Sequence, residues 1–181
     1  MGSRTFSLAC VAAALGCGLG CARPAANTSD GLQKNMTYTN ITPEQAKKLV
    51  DSEGYVYLDV RTVPEFVAGH APASLNIPVL EINPATGGRD MNEKFVGIVE
   101  AAIPRDAKIV VGCKTGGRSA TACEMLARAG YKNLRNIDGG FAGVTDPSGH
   151  VVKEGWFTMG YPVERGDGGE KSYETLKNRK P

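Results

Sequence analysis

The residues best suited to chemistry form one short segment, Cys113 to Ser119, which reads C-K-T-G-G-R-S. An apolar run beginning at Ile109 precedes the cysteine and a helical pattern follows it, so the thiol is predicted to lie between a strand and a helix N-terminus. Gly116 and Gly117 let the backbone fold back so that several N–H groups converge, and the helix dipole adds positive potential there. Such surroundings favour the thiolate, which makes Cys113 a candidate nucleophile.

The remaining side chains of this loop predict an anion-binding site around the thiol. Lys114 and Arg118 add positive charge, while Thr115 and Ser119 are placed either to hydrogen-bond the thiolate or to cap the helix. The candidate substrate-binding residues are therefore Lys114, Thr115, Gly116, Gly117, Arg118 and Ser119. The alternative interpretation is that Cys113 is a buried, inert cysteine at the end of a strand.

The elements that must position this loop alternate between strands and helices. A helix is predicted from Pro43 onwards, because Thr42 is a good N-cap and Gln45 completes a capping box. Strands are predicted at 55–60, 74–78, 109–113 and 134–138, and further helices at 64–68, 92–103 and 118–129. This alternation predicts an α/β fold with a parallel sheet, helices on both faces, and ligands beyond the carboxyl ends of the strands. Cys113 lies at such an end.

The N-terminal segment, residues 1–21, has the composition of an export signal. Arg4 supplies a positive charge, and the apolar or small residues that follow are too few and too rich in Gly and Ala for a spanning helix. The residues before Cys21, and alternatively those before Cys17, resemble the lipobox of bacterial lipoproteins. We therefore expect a lipoprotein facing the periplasm, held to the membrane through its lipid anchor only; an ordinary cleaved signal peptide is the alternative.

Two polar segments flank a single predicted domain at 39–164. Residues 22–38 are typical of a flexible linker, and the charged residues 165–181 are typical of a frayed C-terminal tail. An apolar content of 41% in 181 residues suits one globular domain. The net charge of +2 is too small to indicate nucleic-acid binding.

The central region resembles the single-domain rhodanese family of sulfurtransferases. The resemblance rests on five ordered blocks: Leu58-Asp59-Val60-Arg61; Pro64-Glu65-Phe66 with Gly69-His70; Asn76-Ile77-Pro78; the loop from Cys113 to Ser119; and Asp138-Gly139-Gly140-Phe141 with Gly160-Tyr161-Pro162-Val163. It implies the rhodanese-like three-layer fold, a central parallel sheet flanked by helices.

The same resemblance implies transfer of a sulfane sulfur through a persulfide on Cys113. The thiolate would attack the outer sulfur of a donor such as thiosulfate, and sulfite would depart. A thiophilic acceptor such as cyanide or a thiol, including a thiol protein, would then collect the sulfur. No metal or organic cofactor is implied.

Three residues of the five family-like blocks, Asp59, Arg61 and Glu65, resemble family positions near the active-site end of the sheet. We interpret them as ion-paired residues that steady the loop, in preference to direct substrate contacts. His70 is interpreted as a hydrogen-bonded structural residue rather than a general base, and Cys123 as a small core side chain rather than a resolving thiol. With two histidines and no C-x-x-C pair, no zinc site is predicted.

The chain departs from the family pattern in two places. Val144 stands where a tryptophan often follows the Gly-Gly block, and Thr145 to Gly155 looks like an insertion, with Trp156 as a candidate to supply the missing aromatic packing. Asn83 to Asn92 is a longer excursion than a minimal member needs. Each excursion is a candidate wall of the active site, a partner surface, or an elaboration without function.

Two other functions are compatible with the sequence. Cysteine phosphatases and arsenate reductases also use a cysteine in an anion-binding loop that ends in arginine, but the phosphatase loop is one residue longer than the four residues between Cys113 and Arg118. A non-catalytic rhodanese-like binding domain is the other alternative. Such domains commonly lose the cysteine, which this chain retains within a complete loop.

Overall fold

A computed structural model describes residues 37–179 of the chain. The expected export signal, both candidate lipidation sites (Cys17 and Cys21) and residues 22–36 of the expected linker lie outside the described residues. Within the described range no helix is both long and apolar enough to cross a membrane.

The described residues contain nine strands and five helices. The strands are β1 (Thr39–Ile41), β2 (Val56–Asp59), β3 (Leu75–Asn76), β4 (Leu80–Ile82), β5 (Arg89–Met91), β6 (Lys108–Gly112), β7 (Asn133–Ile137), β8 (Val144–Thr145) and β9 (Val151–Lys153). The helices are α1 (Pro43–Ser52), α2 (Val63–Ala68), α3 (Phe95–Ala102), α4 (Gly117–Arg128) and α5 (Tyr173–Leu176). A single 3₁₀ turn covers Gly169–Lys171.

Five of these strands form one parallel sheet in the order β1-β7-β6-β2-β3. Strand β6 is central, with Val110 opposite Tyr57 of β2 on one side and opposite Arg135 of β7 on the other. Because all five strands are parallel, their carboxyl ends meet at one edge of the sheet. The residue after β6, Cys113, is therefore delivered to the middle of that edge.

Helices cover both faces of the sheet because successive strand residues point to opposite sides. On one face Leu58 and Val111 pack with buried side chains of α3, α4 and α5. On the other face Tyr57 and Val110 pack with α1 and with Trp156. The predicted α/β class with a central parallel sheet between helical layers is confirmed.

The predicted elements all occur, with ends shifted by up to three residues. The capping box at the start of α1 forms as expected: the Gln45 N–H donates to the Thr42 hydroxyl at 3.2 Å, and the Thr42 N–H donates to the Gln45 side chain at 3.0 Å. The largest shift is at α3, because Asn92 uses its side chain to bind the Pro78 carbonyl and the Lys94 N–H instead of continuing a helix. Strand β1 is present in the structure but was not predicted from the sequence.

The expectation that residues 165–181 form a frayed tail is wrong for the residues up to 179 that the structure describes. Helix α5 begins after Ser172, whose hydroxyl accepts from the Thr175 N–H, and it buries Tyr173 and Leu176 in the same core as α3. The Tyr173 hydroxyl donates to Glu81 at 2.6 Å, which also ties the helix to β4. Two apolar residues on one helical turn are too few to produce a periodic pattern, although they suffice to dock a short helix.

Both excursions from the family pattern fold as antiparallel hairpins, β4 with β5 and β8 with β9. The first places Arg89 of β5 at 3.9 Å from Glu65. The second leads into Trp156, which is buried, donates its indole N–H to the Pro162 carbonyl at 2.8 Å, and meets the ring of Tyr57 edge-on. Trp156 thus provides aromatic packing on the α1 face of the sheet.

Candidate active site

The thiol of Cys113 receives two hydrogen-bond donors from its own loop. The Gly116 N–H lies 3.1 Å from Sγ, and the hydroxyl oxygen of Ser119 lies 3.3 Å from it. The Ser119 hydroxyl is also 3.0 Å from the Gly116 carbonyl, so its single proton is shared between two acceptors. Cys113 is a free cysteine with only 1% of its surface exposed. Donors aimed at a buried sulfur stabilise negative charge on that atom.

The turn that aims the Gly116 N–H at the sulfur requires glycine. Gly116 has φ of +107°, a left-handed conformation at the N-cap of α4. A Cβ at this position would lie 3.2 Å from the carbonyl oxygen of Ile137 in the neighbouring strand. A side chain at this point of the loop would therefore be strained by the backbone conformation and would fit only tightly against Ile137.

A second glycine-containing segment, residues 139–142, hydrogen-bonds to the backbone of the loop. The Phe141 N–H donates to the Cys113 carbonyl at 2.7 Å, and the Ala142 N–H donates to the Lys114 carbonyl at 2.8 Å. Gly140, with φ of +60°, approaches so closely that a Cβ would lie 2.5 Å from the Cys113 carbonyl oxygen. The Gly-Gly-Phe block identified in the sequence is thus a clamp on the backbone of the nucleophile.

The guanidinium of Arg118 is paired with Glu65 of α2. Its Nη1 and Nη2 donate to the two carboxylate oxygens at 2.7 and 2.8 Å. Glu65 also accepts hydrogen bonds from the backbone and the hydroxyl of Thr62. From the sequence, Glu65 was predicted to join Asp59 and Arg61, and Arg118 was predicted to face the anion. The structure instead brings Glu65 to Arg118, so this ion pair ties α4 to α2.

The Glu65 carboxyl has a strongly perturbed pKa. Burial alone would raise this pKa, but hydrogen bonds from Arg118 and Thr62, together with the charge of Arg118, outweigh burial and lower it from 4.5 to about 2. The carboxylate is therefore charged throughout the physiological pH range.

We expect Glu65→Gln to remove a pH-dependent part of the stability. A carboxyl whose pKa is lower in the folded state stabilises that state fully above its unfolded pKa of 4.5, and loses this contribution as the pH falls towards about 2. The free energy of unfolding of the wild type should therefore exceed that of E65Q at neutral pH, and the difference should shrink below pH 4.5. Urea unfolding of both proteins across this range measures it; a difference independent of pH would contradict the assignment.

Asp59 and Arg61 form a separate, buried ion pair at the end of β2. Both are nearly inaccessible to solvent, and the Nε and Nη2 groups of Arg61 donate to the Asp59 carboxylate at 2.6 to 3.0 Å. Nη2 also donates to the Gly69 carbonyl at 2.8 Å, and the guanidinium lies 4.0 Å from the ring centroid of Phe141. The pair thus connects β2, the end of α2 and the clamp at Phe141.

A cavity of about 260 Å³ opens beside the loop. Its wall consists of Arg61, Glu65, Ala68, Gly69, Lys114, Phe141, Ala142, Phe157, Val163 and Arg165. Lys114, which follows the nucleophile in the sequence, lines this cavity. Thr115 and Gly117 are exposed on the loop. Phe157 and Arg165 were not predicted from the sequence as site residues, because neither belongs to a periodic element or to the loop motif.

The other titratable candidates lie in the core. His70 is buried, with Nδ1 2.9 Å from the Phe66 carbonyl and its ring stacked on that of Phe66, as expected of a structural residue. Cys123 is fully buried, and burial raises the pKa of its thiol to about 12, as expected of a core side chain. Within residues 37–179 no group of three or more His, Cys, Asp or Glu side chains is arranged to hold a metal ion.

Comparison with known proteins identifies relatives of this arrangement. The family model described as "Rhodanese-like domain" matches residues 42–146. The chain is 40% identical over 111 residues to "Thiosulfate sulfurtransferase 18" of Arabidopsis thaliana, a match that covers 60% of this chain and 79% of that protein. It is 40% identical over 103 residues to "Rhodanese-like domain-containing protein 17" of the same plant, covering 56% of this chain and 64% of that protein.

Among solved structures, the fold matches the crystal structure of Rv0390 from M. tuberculosis with a TM-score of 0.59. The two chains are 29% identical, and the match covers 71% of this chain and 98% of the other. The shared architecture thus extends over nearly the whole of that protein.

Proposed function

We propose that this chain, which belongs to the rhodanese-like domain family, is a sulfurtransferase that carries a sulfane sulfur as a persulfide on Cys113. The observation that carries the proposal is the pair of donors, the Gly116 N–H and the Ser119 hydroxyl, directed at a free thiol at the edge of a parallel sheet. A relative named thiosulfate sulfurtransferase supports the same reaction class.

The proposed reaction consists of two displacements at sulfur. The Cys113 thiolate attacks the outer sulfur of thiosulfate, a new S–S bond forms, and the old S–S bond breaks with its electron pair leaving on sulfite. Cyanide or a thiolate then attacks the outer sulfur of the persulfide, and Cys113 departs as the thiolate. Electrons balance without an oxidant, and the loop donors stabilise the anionic sulfur at both stages.

Lys114 is the loop cation best placed to meet an anionic donor. Arg118 donates through both of its terminal nitrogens to Glu65, so it acts by holding the loop. Lys114 lines the cavity and forms no ion pair within 4.0 Å among the residues that the structure describes. We therefore propose that Lys114 and the loop N–H groups bind the departing sulfite.

Incubation of the purified protein with thiosulfate should add one sulfur atom, detected by intact-mass spectrometry, whereas hydrolysis of an aryl phosphate should be negligible. The four-residue loop places two donors within 3.3 Å of the sulfur, and from its length we expect too little room for in-line attack on a phosphoryl group. Insertion of one glycine between Gly117 and Arg118 should weaken sulfur transfer, because it moves the loop relative to the Glu65 anchor. Efficient phosphate-ester hydrolysis that depends on Cys113 would instead support the phosphatase alternative.

We also propose that the mature protein is an exported lipoprotein whose N-terminus is Cys21, with Cys17 as the alternative, and that it faces the periplasm. The support is the sequence of residues 1–21. Fractionation after bacterial expression should place the wild type in the membrane and Cys21→Ala in the soluble fraction. Loss of lipid labelling in Cys17→Ala alone would move the assignment to Cys17, and a soluble, unlabelled wild type would overturn it.

A further inference from the structure

We infer that the cavity lined by Lys114, the residue that follows the nucleophile, favours sulfur carriers with an apolar body attached to the anionic sulfur group, and that Phe157 is the specificity-determining residue for this preference. The inference rests on the proposed function and adds a substrate class to it. Three observations support it: the charges that remain free at the cavity, the apolar wall, and the way in which Phe157 is fixed relative to the nucleophile.

Among residues 37–179, few of the charged side chains that line the cavity lack an ion-pair partner. Arg61 is neutralised by Asp59, and Glu65, which lines the cavity, is neutralised by Arg118. Lys114 and Arg165 are the lining cations that make no ion pair within 4.0 Å among residues 37–179. These two side chains suit one anionic group bound in the cavity.

The rest of the wall is suited to an apolar group. The apolar side chains that line the cavity are Ala68, Phe141, Ala142, Phe157 and Val163. Thiosulfate is a compact, hydrated dianion and gains nothing from covering such a surface. A carrier with a hydrocarbon body removes apolar area from water on both sides of the contact, which contributes binding free energy roughly in proportion to the area covered.

Phe157 is exposed and yet firmly positioned. It is 58% exposed, a large apolar surface left to solvent. Its N–H donates to the Phe141 carbonyl at 2.8 Å, and the Phe141 N–H donates to the Cys113 carbonyl at 2.7 Å. Two successive backbone hydrogen bonds therefore connect the nucleophile to Phe157. The two rings, 6.1 Å apart and inclined by 27°, form one aromatic wall.

Phe157 lies just beyond the segment Thr145 to Gly155, in which this chain departs from the family pattern. Phe157 follows the β8–β9 hairpin and comes directly after Trp156, whose burial anchors the end of that segment. The hairpin is thus followed closely by a residue that lines the cavity.

The test compares three donors that present the same terminal sulfur: thiosulfate, methanethiosulfonate and benzenethiosulfonate. With either thiosulfonate the Cys113 thiolate attacks the terminal sulfur, the S–S bond breaks, and the sulfinate leaves with the electron pair. Cyanide serves as the common acceptor, and thiocyanate is measured. The wild type should show a kcat/KM for benzenethiosulfonate about 3- to 10-fold above that for methanethiosulfonate, as expected for one aromatic contact.

Phe157→Ala should lower kcat/KM for benzenethiosulfonate by about 3- to 10-fold through a higher KM, with kcat and the other two donors changed by less than about twofold. Phe157→Leu, which keeps an apolar side chain, should retain most of the preference. The matched control is Val152→Ala, because Val152 has the same 58% exposure on β9 but does not line the cavity. Thermal unfolding of each variant verifies folding.

Three outcomes overturn the inference: an equal loss for all three donors, no preference in the wild type, or the same loss in Val152→Ala. Failure of the wild type to turn over any donor would overturn the proposed function itself. The two failures are therefore distinguished by the wild-type rate with thiosulfate alone.

Discussion

Cys113→Ser should abolish both the one-sulfur adduct formed with thiosulfate and the formation of thiocyanate from cyanide, with a loss of at least about a thousandfold. A serine hydroxyl is not ionised near neutral pH and forms no persulfide. The fold should survive, because the Gly116 N–H and the Ser119 hydroxyl can donate to oxygen as they do to sulfur. Intact-mass spectrometry and thiocyanate release measure the two effects.

The matched control for this experiment is Cys123→Ala. Cys123 is the other described cysteine, fully buried on α4, and its removal should leave the adduct and the turnover in place. An adduct that persists in Cys113→Ser, or one that disappears in Cys123→Ala with the fold intact, would move the carrier sulfur away from Cys113.

Asp59→Ala should destabilise the protein by about 3–5 kcal/mol, because it leaves the Arg61 guanidinium buried without its counter-charge. Arg61 is 4% exposed and cannot regain water without disturbing Gly69 and Phe141, which it contacts. Urea unfolding at neutral pH measures the loss. A cost below about 1 kcal/mol would show that the charge is resolvated and that the pair is not a buried support of the site.

Two further variants separate the cost of an unpaired charge from the loss of a side chain. Asp51→Ala, which breaks the exposed pair with Lys47, should change the free energy of unfolding by less than about 1 kcal/mol. The double substitution Asp59→Leu, Arg61→Met should recover part of the stability lost in Asp59→Ala, since it removes both charges together.

The sequence predicted the parts of this fold that depend on local pattern. The apolar run before Cys113 and the glycines of its loop identify a strand, a turn and a helix, and the structure places them there. The capping box at Thr42 defines the start of α1 in the same way. Each of these signals is complete within about ten residues, and each element forms for the reason that the pattern indicates.

The partners of the site residues could not be predicted because they are set by tertiary packing. Glu65 and Arg118 are 53 positions apart, and only the docking of α2 beside α4 shows that they pair. Phe157 and Arg165 reach the cavity through irregular segments that carry no periodic signal. Helix α5 escaped detection because it docks through Tyr173 and Leu176 alone.

The near-complete burial of Cys113 also protects the resting protein chemically. A thiolate is readily oxidised where it is accessible, but the sulfur of a residue that is only 1% exposed is screened from bulky oxidants and alkylating agents. In the proposed cycle the transferred sulfur extends the side chain by one S–S bond, about 2 Å. An acceptor therefore contacts the outer sulfur of the persulfide before it can contact the sulfur of Cys113. Slow alkylation of the resting thiol is thus compatible with rapid transfer of sulfur from the loaded persulfide.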